Sequence, residues 1–192
     1  MKRKHRISTC EVYKWKARLT VDGSKQRYGI HYDETYSPVI TWPTTRFFLI
    51  QSLLLGWHTQ QLDFLLAYPQ ADVDCPLYME IPKGVKVAGQ PIFMETYVLQ
   101  LIKNLYGQKQ ASWVWHLWMT ERLLCMGFTQ SAIDPCVFYY KGTVMLVYVD
   151  DTILLGPTRE GITTVMQLLH SQFSIEDEGE ISDYFGVKVI KN

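Results

Sequence analysis

Cysteine is scarce in this 192-residue chain: there are four, Cys10, Cys75, Cys125 and Cys136, and no C-x-x-C pair among them. Neither a zinc knuckle nor a dithiol redox motif is readable. A domain of this size with 47% hydrophobic residues does not need disulfides, so the chain is read as reduced and intracellular. Long apolar runs are also missing. The longest, Phe47 to Leu55, is interrupted by Gln51 and Ser52 and is too short to span a bilayer. The basic start Met1–Arg6 is followed by no apolar run, so a signal peptide is not read there. The five histidines lack ligand spacing. No Ser or Cys sits in a nucleophile elbow, and no glycine-rich phosphate loop supports ATP-driven chemistry. Net charge is zero, with 19 basic and 19 acidic residues, so overall charge names no partner.

What is present is aromatic and unevenly charged. Twelve Tyr and six Trp point to a solid core or to surfaces that stack on flat groups. Residues 1–27 hold nine Lys or Arg against Glu11 and Asp22, whereas residues 176–183 hold five acids and no base. The basic end suits a polyanion, although a merely solvated face explains it equally well. Lys2–Arg6 also fits a nuclear-localisation patch.

The elements alternate in type. Thr41-Trp-Pro43 opens a helix that stops at Gly56. Trp57–Leu66 reads as a strand broken by Pro69–Asp72, Tyr78–Ile81 and Tyr97–Leu101 as short strands, and Val85–Met94 as a loop. Gln110–Met126 reads as a helix, in which Trp115 and Trp118 are core residues. Cys136–Tyr140 and Val144–Val149 form a hairpin about Lys141-Gly142, and Thr152–Leu155 is a third strand. Apolar residues at 162, 165, 166 and 169 predict an amphipathic helix over 159–172, before a last strand at Phe185–Ile190. This order predicts an α+β fold, a mainly antiparallel sheet with helices packed on one face.

Two acid interruptions stand out. Asp150-Asp151 splits the apolar run Val144–Leu155, and Asp63 lies inside Gln61–Leu66. A plain turn and a strand-end cap would each explain one of these taken alone. Together they are more telling. Adjacent carboxylates in a partly dry site repel and are costly to desolvate, and a hard divalent cation is the usual remedy. If the strands are neighbours, Asp63 faces Asp150 across the sheet. Three carboxylates at one edge then suit the two-metal arrangement of nucleotidyl transfer.

Tyr148-Val149-Asp150-Asp151 between apolar strands resembles the catalytic box of reverse transcriptases, and the flanking segments resemble the copia-type class of long-terminal-repeat retrotransposons. The matching pieces run in order. They are Lys16–Leu19, Glu34–Val39, Gly56-Trp57, Gln61-Leu-Asp63, Ala67-Tyr68, Leu77–Gly84, Leu105–Gln110, Gly127-Phe128 with Asp134–Cys136, the Asp-Asp box, Gly179-Glu180 and Tyr184–Gly186. Each is weak alone; their order is not.

The resemblance implies a right-hand polymerase palm with partial fingers over residues 14–192, preceded by a basic arm, 1–13, whose place in the fold stays open. It implies RNA-directed DNA synthesis with magnesium or manganese on Asp63 and Asp150, and Asp151 in support. Tyr68, five residues after the first Asp, would lie under the sugar of the incoming nucleotide and exclude a 2′-hydroxyl. Lys16, Arg18, Gly107, Lys109 and Tyr148 would serve the nucleotide, triphosphate or template. The implied partners are an RNA template, a DNA or RNA primer, deoxynucleoside triphosphates and the remainder of a Pol polyprotein, in a cytoplasmic virus-like particle and without a membrane. Trp113 departs from the pattern, standing where the family carries Arg. The chain also stops just past the palm, without thumb or ribonuclease H. The alternative is a catalytically inactive, nucleic-acid-binding fragment of a decayed element.

Overall fold

The computed structural model describes residues 18–82 and 97–181, together with the backbone of short strands at 86–87, 90–91, 183–184 and 187–188. The basic arm, Lys16 and Phe185-Gly186 lie outside the described residues. A single-turn 3-10 helix, Gly23–Lys25, precedes helix α1, Trp42–Leu54. Strand β1, His58–Phe64, leads to the short helix α2, Ala67–Gln70. Then come β2, Asp72–Glu80, the pair β3, Lys86–Val87, and β4, Gln90–Pro91, and β5, Val98–Lys103. Helix α3, Ala111–Cys125, is followed by β6, Thr129–Gln130, β7, Val137–Tyr140, β8, Thr143–Tyr148, and β9, Asp151–Gly156. Helix α4, Arg159–His170, β10, Ile175–Gly179, β11, Asp183–Tyr184, and β12, Val187–Lys188, complete the order.

Local chemistry accounts for the boundaries. Thr41 caps α1 by accepting from the Thr44 amide, with Pro43 in the first turn. Thr158 caps α4 by accepting from the Gly161 amide. Lys141 and Gly142 both take positive φ, 45° and 85°, as a tight β7–β8 hairpin requires.

Six strands form one sheet in the order β10-β1-β9-β8-β7-β6, each neighbour antiparallel. The central strands β8 and β9 are buried over most of their length on both faces. One face carries Leu62, Phe64, Met145, Val147 and Leu154 against α3 and α4, through Trp115, Met119, Ile162 and Leu169. The other carries Leu146, Ile153 and Leu155, with Phe48 and Leu49 of α1 packed against them. The α+β class and the antiparallel sheet are as expected, but helices on one face only is corrected. Two apolar faces need two covers, and α1 supplies the second.

Strands β2 and β5 form a separate two-stranded sheet, with Asp72 paired to Lys103 and a bulge before Leu77. The predicted loop over 85–94 contains the β3–β4 pair. β10 arises where the sequence shows a run of three acids after Ile175.

Residues 20–23 sit hard against the loop before α3. Gly107 has φ +91°, and a Cβ there would lie 2.1 Å from the Val21 carbonyl oxygen. Gly107→Ala is expected to cost about 3 kcal/mol in urea unfolding, from backbone strain plus the displaced segment. Gly142→Ala is the control: at φ +85° it meets nothing within 4 Å, and only about 1 kcal/mol of strain is expected.

Candidate active site

The β8–β9 turn is built around an unusual residue. Val149, β-branched, holds φ at +58°, where its side chain crowds the backbone. Two hydrogen bonds fix the turn. The Trp115 indole Nε1 donates to the Val149 carbonyl at 2.8 Å, and the Phe64 amide donates to the Asp150 carbonyl at 3.0 Å. Trp115 is 1% exposed and stacks on Trp118, with ring centroids 5.5 Å apart, so the indole is core, as expected, and also holds the turn. Nothing in the sequence signalled that second task.

Strand register brings the acids together. Asp63 of β1 pairs directly with Asp151 of β9, and Asp151 pairs with Tyr148 of β8. Alternation puts these three on the sheet face opposite Leu62, Phe64 and Thr152. Asp63, Asp150 and Asp151 line one open cavity, about 410 Å³, with Glu176 and Glu178 of β10. Arg18 and Tyr106 complete the polar wall. The electrostatics follow. Burial first, then the charges of Asp150, Asp63 and Glu178, push the Asp151 carboxyl up to about 6.

This shift has a sign. The folded chain binds the Asp151 proton more tightly than the unfolded chain does, so the contribution to stability is present below about pH 4. It is lost as pH rises through about 6. Urea denaturation at pH 4.5 and pH 7 should show lower stability at the higher pH from this group, and Asp151→Asn should reduce that difference.

Arg18 lies over the Tyr106 ring, 5.1 Å from its centroid, and Tyr106 meets Tyr68 at 4.7 Å. Burial foremost, then the Asp150 charge, raises the Tyr106 hydroxyl pKa. Burial also raises that of Tyr68, with Asp150 adding to it and a hydrogen bond with Ser112 opposing it. Tyr106, Glu176 and Glu178 were not singled out in the sequence. Tyr106 lies inside the Leu105–Gln110 segment, and the two glutamates lie in the acid run 176–183.

The other expected site residues among those described do not line the carboxylate cavity. Lys109 reaches the Tyr32 hydroxyl at 3.3 Å and lies over its ring at 4.9 Å, away from the carboxylates. The close backbone approach at Gly107 is to Val21. Tyr148 packs against the second core. Trp113 lines a different cavity, among Asp33, Glu34, Asp74 and Glu121.

The donors fit a hard divalent cation in chemistry, being carboxylate oxygens close enough for the charges of Asp150, Asp63 and Glu178 to raise the pKa of Asp151. They are not closed into a ligand set: among the described residues no group of three or more His, Cys, Asp or Glu side chains could hold a metal ion as it stands. Among the described residues, too, no helix is long and apolar enough to cross a membrane.

The fold and the site together define an antiparallel α+β domain with acids gathered at a hairpin turn and the facing strand end, and comparison with known sequences gives its family. The chain belongs to the reverse transcriptase (RNA-dependent DNA polymerase) family, whose model matches residues 2–192. It is 31% identical over 187 residues to the retrovirus-related Pol polyprotein from transposon TNT 1-94 of Nicotiana tabacum, covering 95% of this chain and 14% of that protein. Over 179 residues it is 34% and 32% identical to the Pol polyproteins from transposons RE1 and RE2 of Arabidopsis thaliana, covering 91% of this chain and 12% of each. The copia-type resemblance is thereby borne out. The chain spans only about a seventh or an eighth of the length of these relatives.

Proposed function

We propose that this chain is the palm and part of the fingers of a copia-type reverse transcriptase, extending a primer on an RNA template from deoxynucleoside triphosphates. The primer 3′-hydroxyl attacks the α-phosphate of the incoming nucleotide, the α–β phosphoanhydride bond breaks, and pyrophosphate leaves. The observation that carries this reading is the meeting of Asp63, Asp150 and Asp151 in one cavity at a strained, doubly anchored turn. Asp63 and Asp150 would hold magnesium or manganese, with Asp151 in support. When bound, such ions supply positive charge that lowers the pKa of the primer hydroxyl and stabilises the departing phosphate oxygens. Arg18, on the cavity wall, meets the triphosphate charge, and Lys16 acts with it. Tyr68 reaches the site through Tyr106 and underlies the sugar. Gly107 and Lys109 shape the path of template or nucleotide, and Tyr148 supports the catalytic turn from β8. The remainder of a Pol polyprotein is its partner, and synthesis takes place within a cytoplasmic virus-like particle.

The test is primer extension on poly-A/oligo-dT with magnesium or manganese, using this chain alone and then fused to a thumb. Extension in the fused form supports the reading. Tight template–primer binding without extension in either form supports the second reading, a nucleic-acid-binding fragment. Trp113, standing where the family carries Arg, favours that second reading.

A further inference from the structure

Tyr148 and Asp151 pair directly, so Val149 and Asp150 form the two-residue loop of the β8–β9 hairpin. Val149 takes φ +58°, and Asp150 does not share a positive φ. A tight hairpin with positive φ at its first loop position ordinarily places glycine there. A β-branched residue disfavours that conformation. Charge opposes it as well, because this loop sets Asp150 in one cavity with Asp63 and Asp151. The hairpin's own preferences therefore point away from the arrangement observed, and something outside it imposes the turn.

Helix α3 reaches the turn through Trp115, whose Nε1 donates to the Val149 carbonyl at 2.8 Å. The ring cannot follow the turn if the turn moves. It is buried, held edge-on by Phe64 at 5.2 Å and Phe173 at 6.3 Å, and stacked on Trp118. Phe64 is also the residue whose amide donates to the Asp150 carbonyl, and it directly follows Asp63 in β1. One aromatic cluster thus fixes Asp63 through the backbone of Phe64 and the Asp150 turn through the indole N–H. We propose that Trp115 is a positioning residue for nucleotidyl transfer: its N–H holds Val149 at positive φ and so keeps the Asp150 carboxylate in the cavity with Asp63. This role rests on Asp63 and Asp150 being the metal-holding pair. It places control of that pair in α3, outside the hairpin that carries Asp150. A ring that only filled the core would need no nitrogen at this position; a hydrogen bond to a strained backbone does.

The experiment replaces the Trp115 indole, at that site alone, by benzothiophene, which keeps the fused ring and puts sulfur where the N–H was. In the metal-free chain, hydrogen exchange of the Phe64 amide should speed up about tenfold, as loss of one hydrogen bond predicts, while the amides of α4 exchange as in the parent. In the thumb-fused chain, kcat for primer extension should fall about tenfold, with KM for dTTP within about twofold of the parent. Val149→Gly removes the strain at the turn. In that background the same replacement should lower kcat by about threefold or less, because the two changes act on one contact. Trp115→Phe removes the same donor and serves if the benzothiophene chain does not fold. Unchanged Phe64 exchange overturns the proposal. So does an unchanged kcat, or an equal loss of kcat with and without Val149→Gly, which a merely packed ring would give. Faster Phe64 exchange on replacement, with a thumb-fused parent that extends no primer, sinks the polymerase reading and leaves the hold of Trp115 on the turn standing. Extension by the parent with unchanged Phe64 exchange sinks the role of Trp115 alone.

Discussion

Primer extension by Asp150→Asn in the thumb-fused chain is expected to fall by about 10³-fold or more. Carboxylate-held cations contribute several kcal/mol of transition-state charge stabilisation, and about 4 kcal/mol corresponds to that factor. The fold should survive. The Asp150 carbonyl, which accepts from the Phe64 amide, is unchanged by the substitution, as is the Trp115 anchor on Val149. Asp150 is among the charges that push the Asp151 carboxyl up, so removing it relieves repulsion in the metal-free chain. Stability of the metal-free variant at pH 7 should rise by about 0.5–1 kcal/mol. The two readouts move in opposite directions, which separates a lost ligand from a damaged fold. Parental extension by Asp150→Asn would remove the carboxylate from the reaction. A drop in melting temperature would show that Asp150 supports the turn in some other way.

What the sequence made legible was what local chemistry encodes. Thr41, Pro43 and Gly56 marked α1 because caps and turns act within a few residues. Lys141-Gly142 marked its hairpin for the same reason. The acids were legible because charge inside an apolar strand has few cheap explanations. The strands β10 and β2 were less so. In β10 only Ile175 is buried and the next three residues are exposed acids, so its edge position shows no alternation to read. In β2 only Tyr78–Ile81 reads as a strand, and the structure extends it back to Asp72 through an irregular stretch before Leu77. The side of α1 that faces the sheet was also unreadable, because its apolar residues surround the helix. The Tyr68–Tyr106–Arg18 stack joins three segments distant in the chain, and no local pattern carries such a contact.

That stack bears on the second large effect, sugar choice at Tyr68. Asp63 ends a strand, and Tyr68 follows in α2 after Leu66 turns the chain at φ 51°. Tyr68 is half-buried, packs against the main core and meets Tyr106, which lines the carboxylate cavity. A ring held on both sides cannot swing away from a bulkier sugar, so a ribose 2′-hydroxyl would be pushed out of line with the attacking primer hydroxyl. Steric exclusion of one hydroxyl by a rigid wall is worth about 3 kcal/mol, or about 10²-fold in the ratio of kcat/KM for dTTP and UTP. Tyr68→Ala should erase most of that ratio. It should also cost about 3 kcal/mol of stability, since it removes a packed aromatic. Tyr68→Phe keeps the ring and should keep the discrimination, because the hydroxyl takes no part in the steric wall. The measurement is the dTTP/UTP ratio in the thumb-fused chain, at a temperature where both variants remain folded. If Tyr68→Ala discriminates as well as the parent, Tyr68 only packs. Tyr106, which stands between it and the carboxylates, then becomes the residue to substitute next.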